Sequence, residues 1–243
     1  MGVVEAHDVA IGWSEDDRLV EHITFSVDRG EVFGILGRSA SGKSTLLRVL
    51  VGLDPPLEGE VLLHGLPPPD ATTRPTFGVM FQHGALIGSM SLGENIALPL
   101  QTWTDLPRDA IAAVVRAKLR LVDLEWAVEL MPGELSGGMR KRAAIARALA
   151  LDPSLVFLDE PSSGLDPITS AEIDVLIRNL ADLHDLTVVI VTHELGSIFS
   201  IIDRCVLLDR EHRRIAAAGA PRDLAVSTDP DVRMFFHRAQ EAA

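Results

Sequence analysis

A short apolar run, Val32-Phe33-Gly34-Ile35-Leu36, leads into Gly37-Arg38-Ser39-Ala40-Ser41-Gly42-Lys43-Ser44-Thr45, and Leu46, Leu47, Val49 and Leu50 then recur at helical spacing until Gly52. This feature restricts the fold of the 243-residue chain more than any other. It reads as a strand, a glycine loop and a helix that Gly52 can close. The loop fits the pattern Gly-x4-Gly-Lys-Ser/Thr, in which backbone N–H groups of the loop and of the helix start surround nucleotide phosphates. In that arrangement Lys43 reaches the β and γ phosphates and the Ser44 hydroxyl ligates magnesium.

The rest of the chain repeats the alternation of strand and helix. Val3 to Ile11 and Ile23 to Val27 are β-type segments flanking a polar turn, Ser14-Glu15-Asp16-Asp17, and Val61 to Leu63 and Phe77 to Phe81 read as further strands. Ile111, Val114, Val115, Leu119 and Val122 then follow helical spacing behind Pro107 and Asp109, which predicts an inserted helical lobe. Leu155 to Leu158, Val188 to Val191 and Val206 to Leu208 are buried-type strands with helical segments between them, the order expected of a parallel sheet with crossover helices. The expected fold is α/β: a phosphate-loop NTPase core with a mostly parallel sheet, an N-terminal antiparallel β-subdomain and an inserted α-helical subdomain. Residues 1–83 and 152–226 would form the core and β-subdomain, 84–151 the helical subdomain, and 227–243 a C-terminal tail. The tail carries Met234-Phe235-Phe236 amid charges, which suits packing on the body or on a second copy.

Charge and cysteine usage narrow the classes. A net charge of −13 argues against coating nucleic acid or adhering directly to anionic lipid, both of which need a basic face. No apolar run approaches the roughly 18 residues of a membrane-spanning helix, so any membrane role must come through a partner. The N-terminus reads neither as a secretion signal nor as a myristoylation site, residue 6 being Ala. The single cysteine, Cys205, lies in the apolar stretch Cys205-Val206-Leu207-Leu208 and reads as a core residue in a reducing compartment.

A second constellation points to hydrolysis. The apolar run Leu155 to Leu158 delivers Asp159 and Glu160 at its end, so that Asp159 can hold magnesium while Glu160 polarises an attacking water. Acids before Pro161 also suit a helix start, and the phosphate loop upstream favours the chemical reading. Leu135-Ser136-Gly137-Gly138-Met139 offers another small-residue helix start, by itself a cap or an anion cradle.

With these motifs in this order, the sequence resembles the ATP-binding cassette (ABC) ATPases, whose signature is Leu-Ser-Gly-Gly-Gln. The resemblance spans about Val9 to about Leu208. It implies that Ser136, Gly137 and Gly138 of one subunit close over the γ-phosphate held by the phosphate loop of another, sandwiching two ATP molecules in a dimer. It further implies that Gln82 contacts magnesium and the attacking water, that Ser163-Gly164-Leu165-Asp166 is the loop where subunits touch near the sites, and that His193 contacts the γ-phosphate. Trp13 stands where the family usually stacks an aromatic ring on adenine; a partly buried Trp is the other reading. The chain departs from the pattern at Met139, where Gln is usual, and at Arg38 and Ala40, where Pro and Gly are common; Ala40 gives up glycine's conformational freedom.

Within the family, Met139-Arg140-Lys141-Arg142 and Phe81-Gln82-His83-Gly84-Ala85-Leu86 are similar to the ATPase subunits of Mla/Mce-type bacterial phospholipid transporters, as is the ending Asp229 to Phe236. That likeness implies an integral membrane permease, with an Mce-domain substrate-binding protein and accessory subunits as further partners, and a place on the cytoplasmic face of the inner membrane. The surface from Gln82 to Met90 is expected to receive the permease. A transporter of another small solute is the nearest alternative. An ABC ATPase acting on DNA or ribosomes is a more distant one, since such proteins commonly carry a long coiled-coil insertion or two tandem cassettes.

Overall fold

The computed structural model describes residues 2–70 and 72–237. Strands β1 (Val4–Ser14) and β2 (Asp17–Val27) pair antiparallel across Glu15-Asp16, so both are longer than their apolar cores suggest. The two-residue turn lets the pairing continue into the polar ends. β3 (Val32–Gly37) enters the glycine loop and α1 (Lys43–Leu50), and β4 (Glu58–Leu63) returns to the other side of β1. α1 ends as predicted: Gly52 has φ +75°, its N–H donates to the Val49 carbonyl, and the Leu53 N–H donates to the Arg48 carbonyl. These are the two bonds of a Schellman motif.

After β5 (Gly78–Met80) come three helices, α2 (Leu92–Trp103), α3 (Arg108–Leu121) and α4 (Gly137–Ala148). The alternation resumes with β6 (Leu155–Asp159), α5 (Pro167–His184), β7 (Thr187–Thr192), α6 (Leu195–Ile201), β8 (Arg204–Asp209), β9 (Arg214–Gly219), α7 (Pro221–Ala225) and α8 (Pro230–His237). α2 is a helix that apolar spacing alone did not single out, because Pro99 lies inside it. Its start carries a capping box: Ser91 Oγ accepts the Glu94 N–H, and Glu94 Oε2 accepts the Ser91 N–H.

The main sheet has the order β5-β6-β7-β3-β8-β9, parallel except for the β8–β9 pair. Its central strands β3, β6, β7 and β8 are buried on both faces. Val32, Leu36, Val156, Leu158, Val188 and Ile190 join a core shared with α2 to α6, whereas Phe33, Ile35, Leu155, Phe157, Val189 and Val191 join a core shared with α1 and the antiparallel sheet. Each fully buried Val, Leu or Phe contributes roughly 1.5–3 kcal/mol, and the two-residue alternation fixes the register, since a slip by one would exchange the faces. The helical lobe shares its core with one face of the sheet, which seats it rigidly beside the strand ends.

The tail packs on the body. Phe236 is buried, stacked at a tilt on Phe199 of α6 with ring centroids 5.9 Å apart. Residues 238–243 of the expected tail lie outside the described residues. Cys205 is buried as expected; its Sγ–H points at the Gly219 carbonyl, and burial pushes the thiol pKa up to about 12.

Candidate active site

Parallel pairing delivers the chemistry to one edge. β5, β6, β7 and β3 are consecutive neighbours, so their carboxyl ends line up: Met80 pairs with Leu158, Asp159 with Val191, and Thr192 with Leu36. Gln82 follows β5, Asp159 and Glu160 end β6, His193 follows β7, and the loop 37–44 follows β3. β3 has β7 on one side and β8 on the other, and such a switch point, with helices leaving on opposite faces, opens a crevice at the strand ends.

The glycine loop is tightly folded. A Cβ on Gly37 would sit 2.3 Å from Ser41 Oγ, so only glycine allows that approach. Gly42 occupies the helix N-cap and supplies no side chain to cap α1, which leaves the first-turn N–H groups for a ligand. Lys43 Nζ donates to the carbonyls of Gly37 and Arg38 at 3.0 and 3.1 Å, and its burial lowers its pKa. Arg38, Ser39 and Ala40 are exposed at the rim, and Thr45 is half-buried in the first turn of α1. Ala40 does take the conformation its position asks of glycine, φ +60°, and its carbonyl accepts from Arg210.

Ser44 Oγ donates to Asp159 Oδ1 at 3.2 Å, joining the loop to the end of β6. Asp159 is buried, and desolvation raises its pKa against the lowering effect of that hydrogen bond. Beside it Glu160, also buried, has φ +52°, a left-handed conformation that costs a residue with a Cβ about 1–2 kcal/mol. Its Oε1 lies 2.7 Å from His193 Nδ1, and its Oε2 is buried with no partner. Ser41 Oγ is unpartnered as well. A strained, buried carboxylate with an unpartnered oxygen is a combination that marks candidate functional sites.

Not every expected residue meets at this edge. Ser136 caps α4, its Oγ accepting the Met139 N–H at 3.2 Å. Cβ atoms added to Gly137 and Gly138 would meet Leu165 and Thr169 at the start of α5, not the chain's own phosphate loop; Ser136 is exposed, Gly137 half-buried and Gly138 buried. Asp166 caps α5, accepting the N–H groups of Ile168 and Thr169 and the Thr169 hydroxyl. Trp13 is 74 % exposed, two residues from Ile11, whose side chain lies against Gly42, so it is not a core residue. The segment 82–90 is mostly exposed, and its backbone is anchored from α2. Leu86 packs on the core, while Asn95, fully buried in α2, binds both backbone groups of Ile87 and the carbonyls of Met90 and Ser91.

Three polar residues of the site escaped sequence reasoning. Lys141 and Arg147 on α4 donate to backbone carbonyls around Gln82 and Glu160, and Asp174 on α5 is buried with its pKa raised to about 6, chiefly by desolvation. Lys141, Ala144, Ile145 and Ala148 share one helical face, so a charge on an otherwise apolar stripe was the signal available for the first.

A family model described as ABC transporter matches residues 20–163. The chain is 38% identical over 241 residues to the "Intermembrane phospholipid transport system ATP-binding protein MlaF" of Escherichia coli (strain K12), covering 96% of this chain and 88% of that protein. It is 40% identical over 226 residues to the "Probable ribonucleotide transport ATP-binding protein mkl" of Mycobacterium leprae (strain TN), covering 90% of this chain and 65% of that one. The chain thus spans just under two thirds of the length of the mycobacterial relatives it matches. Among solved structures, the ATP-binding cassette MJ0796 in a dimeric post-hydrolysis state bound to ADP and Pi superposes with a TM-score of 0.80 at 28% identity, covering 89% of this chain and 98% of that one. Phosphate loop, acidic strand end and the Ser136-Gly137-Gly138 helix start, set on this sheet order and matched along most of the chain, have one explanation: the chain belongs to the ABC transporter family, as one of its ATP-binding cassettes.

Proposed function

We propose that the chain is the ATP-hydrolysing subunit of a bacterial ABC transporter that moves phospholipid between inner and outer membrane, seated on the cytoplasmic face of the inner membrane through a permease. Among the described residues no helix is long and apolar enough to cross a membrane. The single observation that carries the ATPase reading is the alignment of loop 37–44, Asp159, Glu160, Gln82 and His193 along one sheet edge. The division into core with β-subdomain (1–83 and 152–226), helical subdomain (84–151) and tail (227–243) is proposed with it.

The donor set fits magnesium and a triphosphate. Ser44 and Asp159 are hard oxygen ligands already in contact. Among the described residues no cluster of three or more His, Cys, Asp or Glu could hold a metal alone, which suits an ion held jointly with phosphate oxygens. Magnesium, when bound, neutralises charge on the phosphate oxygens. Lys43, released from the loop carbonyls, would bind β and γ oxygens, with the N–H groups of the α1 start around them. Gln82 would contact the ion and the water, Glu160 would accept the water's proton at its unpartnered Oε2, and His193 would hold Oε1 and meet the γ-phosphate. Trp13 would stack on adenine. The missing cradle over the γ-phosphate would be Ser136, Gly137 and Gly138 of a second copy, with Asp166 at the seam. Nucleotide-dependent closure of that dimer is a two-state change that a permease can feel.

Kinship with MlaF supports phospholipid as cargo and, with it, an Mce-domain protein and accessory subunits as partners. The name of the mycobacterial relative favours a second reading, a transporter of another solute. Affinity purification of the chain from detergent-solubilised membranes of its own source, with mass spectrometry of proteins and lipids, separates the two. A permease, an Mce-domain protein and phospholipid are expected; a permease beside a solute-binding protein without lipid would keep the ATPase and overturn the cargo.

A further inference from the structure

Lys141 is a lysine in the middle of a packed helix, and its charge is fully used. It is buried, and its ammonium donates to the Gln82 carbonyl at 2.7 Å, to the Glu160 carbonyl at 2.6 Å and to Ser163 Oγ at 3.4 Å. An ammonium has three donors, and each has an acceptor. Those acceptors belong to three separate segments of the site: the segment after β5, the end of β6, and the turn leading to α5. Lys141 itself stands one turn beyond Gly137 and Gly138. One side chain on the signature helix therefore ties together the backbones of the residues assigned to water activation and to magnesium.

The tie falls on a strained residue. Glu160 is left-handed, and its conformation is held by its N–H on Val191, by Lys141 and Ser163 Oγ on its carbonyl, and by its side chain on His193. Such strain persists only where neighbours over-determine it. The Gln82 side is pinned the same way, since Arg147, further along α4, donates to the Gly84 and Ala85 carbonyls. Because charge-assisted bonds to a buried ammonium are short and strong, movement of α4 cannot leave Glu160 and Gln82 behind.

We propose that Lys141 is a positioning residue: it acts through the Gln82 and Glu160 carbonyls to hold the water-activating carboxylate in its productive conformation, and it couples that geometry to the signature helix. The inference rests on the ATPase reading above. When a second copy closes on the signature start of α4, the displacement is passed by Lys141 to the subunit's own Glu160 and Gln82.

Steady-state ATP hydrolysis by the full chain tests this in Lys141→Met, which keeps length and loses every donor, and in Lys141→Gln, which keeps two N–H donors. Expected are a kcat at least tenfold lower in K141M with KM for ATP within twofold, and a kcat within threefold of the parent in K141Q. Glu160→Gln, measured alongside, is expected to abolish hydrolysis while retaining ATP binding. If K141M keeps kcat within threefold, or K141Q loses as much as K141M, the positioning role is overturned. Parental hydrolysis in E160Q would instead overturn the assignment of Glu160 on which it rests. Should K141M not fold, Ser163→Ala decides, because it removes one acceptor of Lys141 and one donor to Glu160 at little cost in packing: a two- to fivefold fall in kcat at constant KM supports the role, and an unchanged kcat sinks it.

Discussion

Among the described residues, the starts of α1 and α4 differ from those of the other six α-helices in one respect. α2 and α3 carry Glu94 and Asp109 in the first turn, α5 is capped by Asp166, α6 is preceded by Glu194 at the N-cap, and α7 and α8 carry Asp223 and Asp231. α1, capped by Gly42, and α4, capped by Ser136, have no carboxylate at the N-cap or in the first turn. A chain with 35 acidic residues satisfies its helix dipoles with its own acids wherever a start is structural, and withholds them at two. An acid in those two places would compete with a phosphate. The two starts are not equivalent, however: α1 has Lys43, Ser44 and Asp159 around it, whereas α4 has only its own cap and the flank of α5. On the proposed function, the first would be a nucleotide site almost complete within one chain, and the second half of a site that another copy would complete.

The comparison can be broken most directly at Lys43. Lys43→Ala should lower both ATP affinity and hydrolysis, the latter by about a hundredfold or more, the order seen when one preorganised electrostatic donor is lost. Equilibrium binding of a fluorescent ATP analogue and phosphate release would measure it, and near-parental values would deny the α1 start its role. Next in size is Ser136→Asp, which keeps an excellent helix cap but places a carboxylate at the start of α4. Hydrolysis should fall about tenfold or more, since roughly 1.4 kcal/mol of repulsion suffices and unit charges 4 Å apart near a surface reach about 4 kcal/mol. ATP binding by the monomer should not change. The same exchange at α2, Ser91→Asp, should leave hydrolysis within twofold, and equal losses in both variants would show that the acid-free start of α4 has no special meaning. The smallest effect concerns the loop itself. Ala40→Gly removes a left-handed penalty of about 1–2 kcal/mol and adds unfolded-state entropy of about 0.4–1 kcal/mol, so thermal unfolding should rise by about 1–4 °C. An unchanged or lower midpoint would mean that the Arg210 contact to the Ala40 carbonyl already favours the conformation.

Particular residues show where legibility stopped. The buried strands at 155–158, 188–191 and 206–208 were readable because continuous apolar runs suit sheets covered on both faces. β9 offers only Ile215 and three alanines, small side chains with little hydrophobic signal; as an antiparallel edge it is half-buried at Ile215, Ala216 and Ala217 and exposed at Ala218. The segment 82–90 read as an apolar surface and most of it is exposed; what the sequence did not show is that Leu86 packs partly on the core and that Asn95 fixes the backbone beside it, through hydrogen bonds that hydropathy does not record. The tail could have gone to the body or to a partner, and the site on α6 where Phe199 receives Phe236 exists only once α6 and α8 are packed.

Local chemistry is what the sequence by itself determined: glycine where the loop approaches Ser41, a lysine and a serine at fixed spacing after it, two acids at a strand end, and a helix start without acids. Each depends on residues adjacent in the chain, so spacing alone carries it. The tertiary structure decided which of these meet. Parallel pairing of β5, β6, β7 and β3 brought Gln82, Asp159, Glu160 and His193 to one edge, and the packing of α4 put Lys141 beneath two of them. Those contacts join residues from 19 positions apart, for Lys141 and Glu160, to 156 apart, for Leu36 and Thr192, and a buried ammonium or a strained carboxylate is tolerable only where the assembled fold supplies its partners.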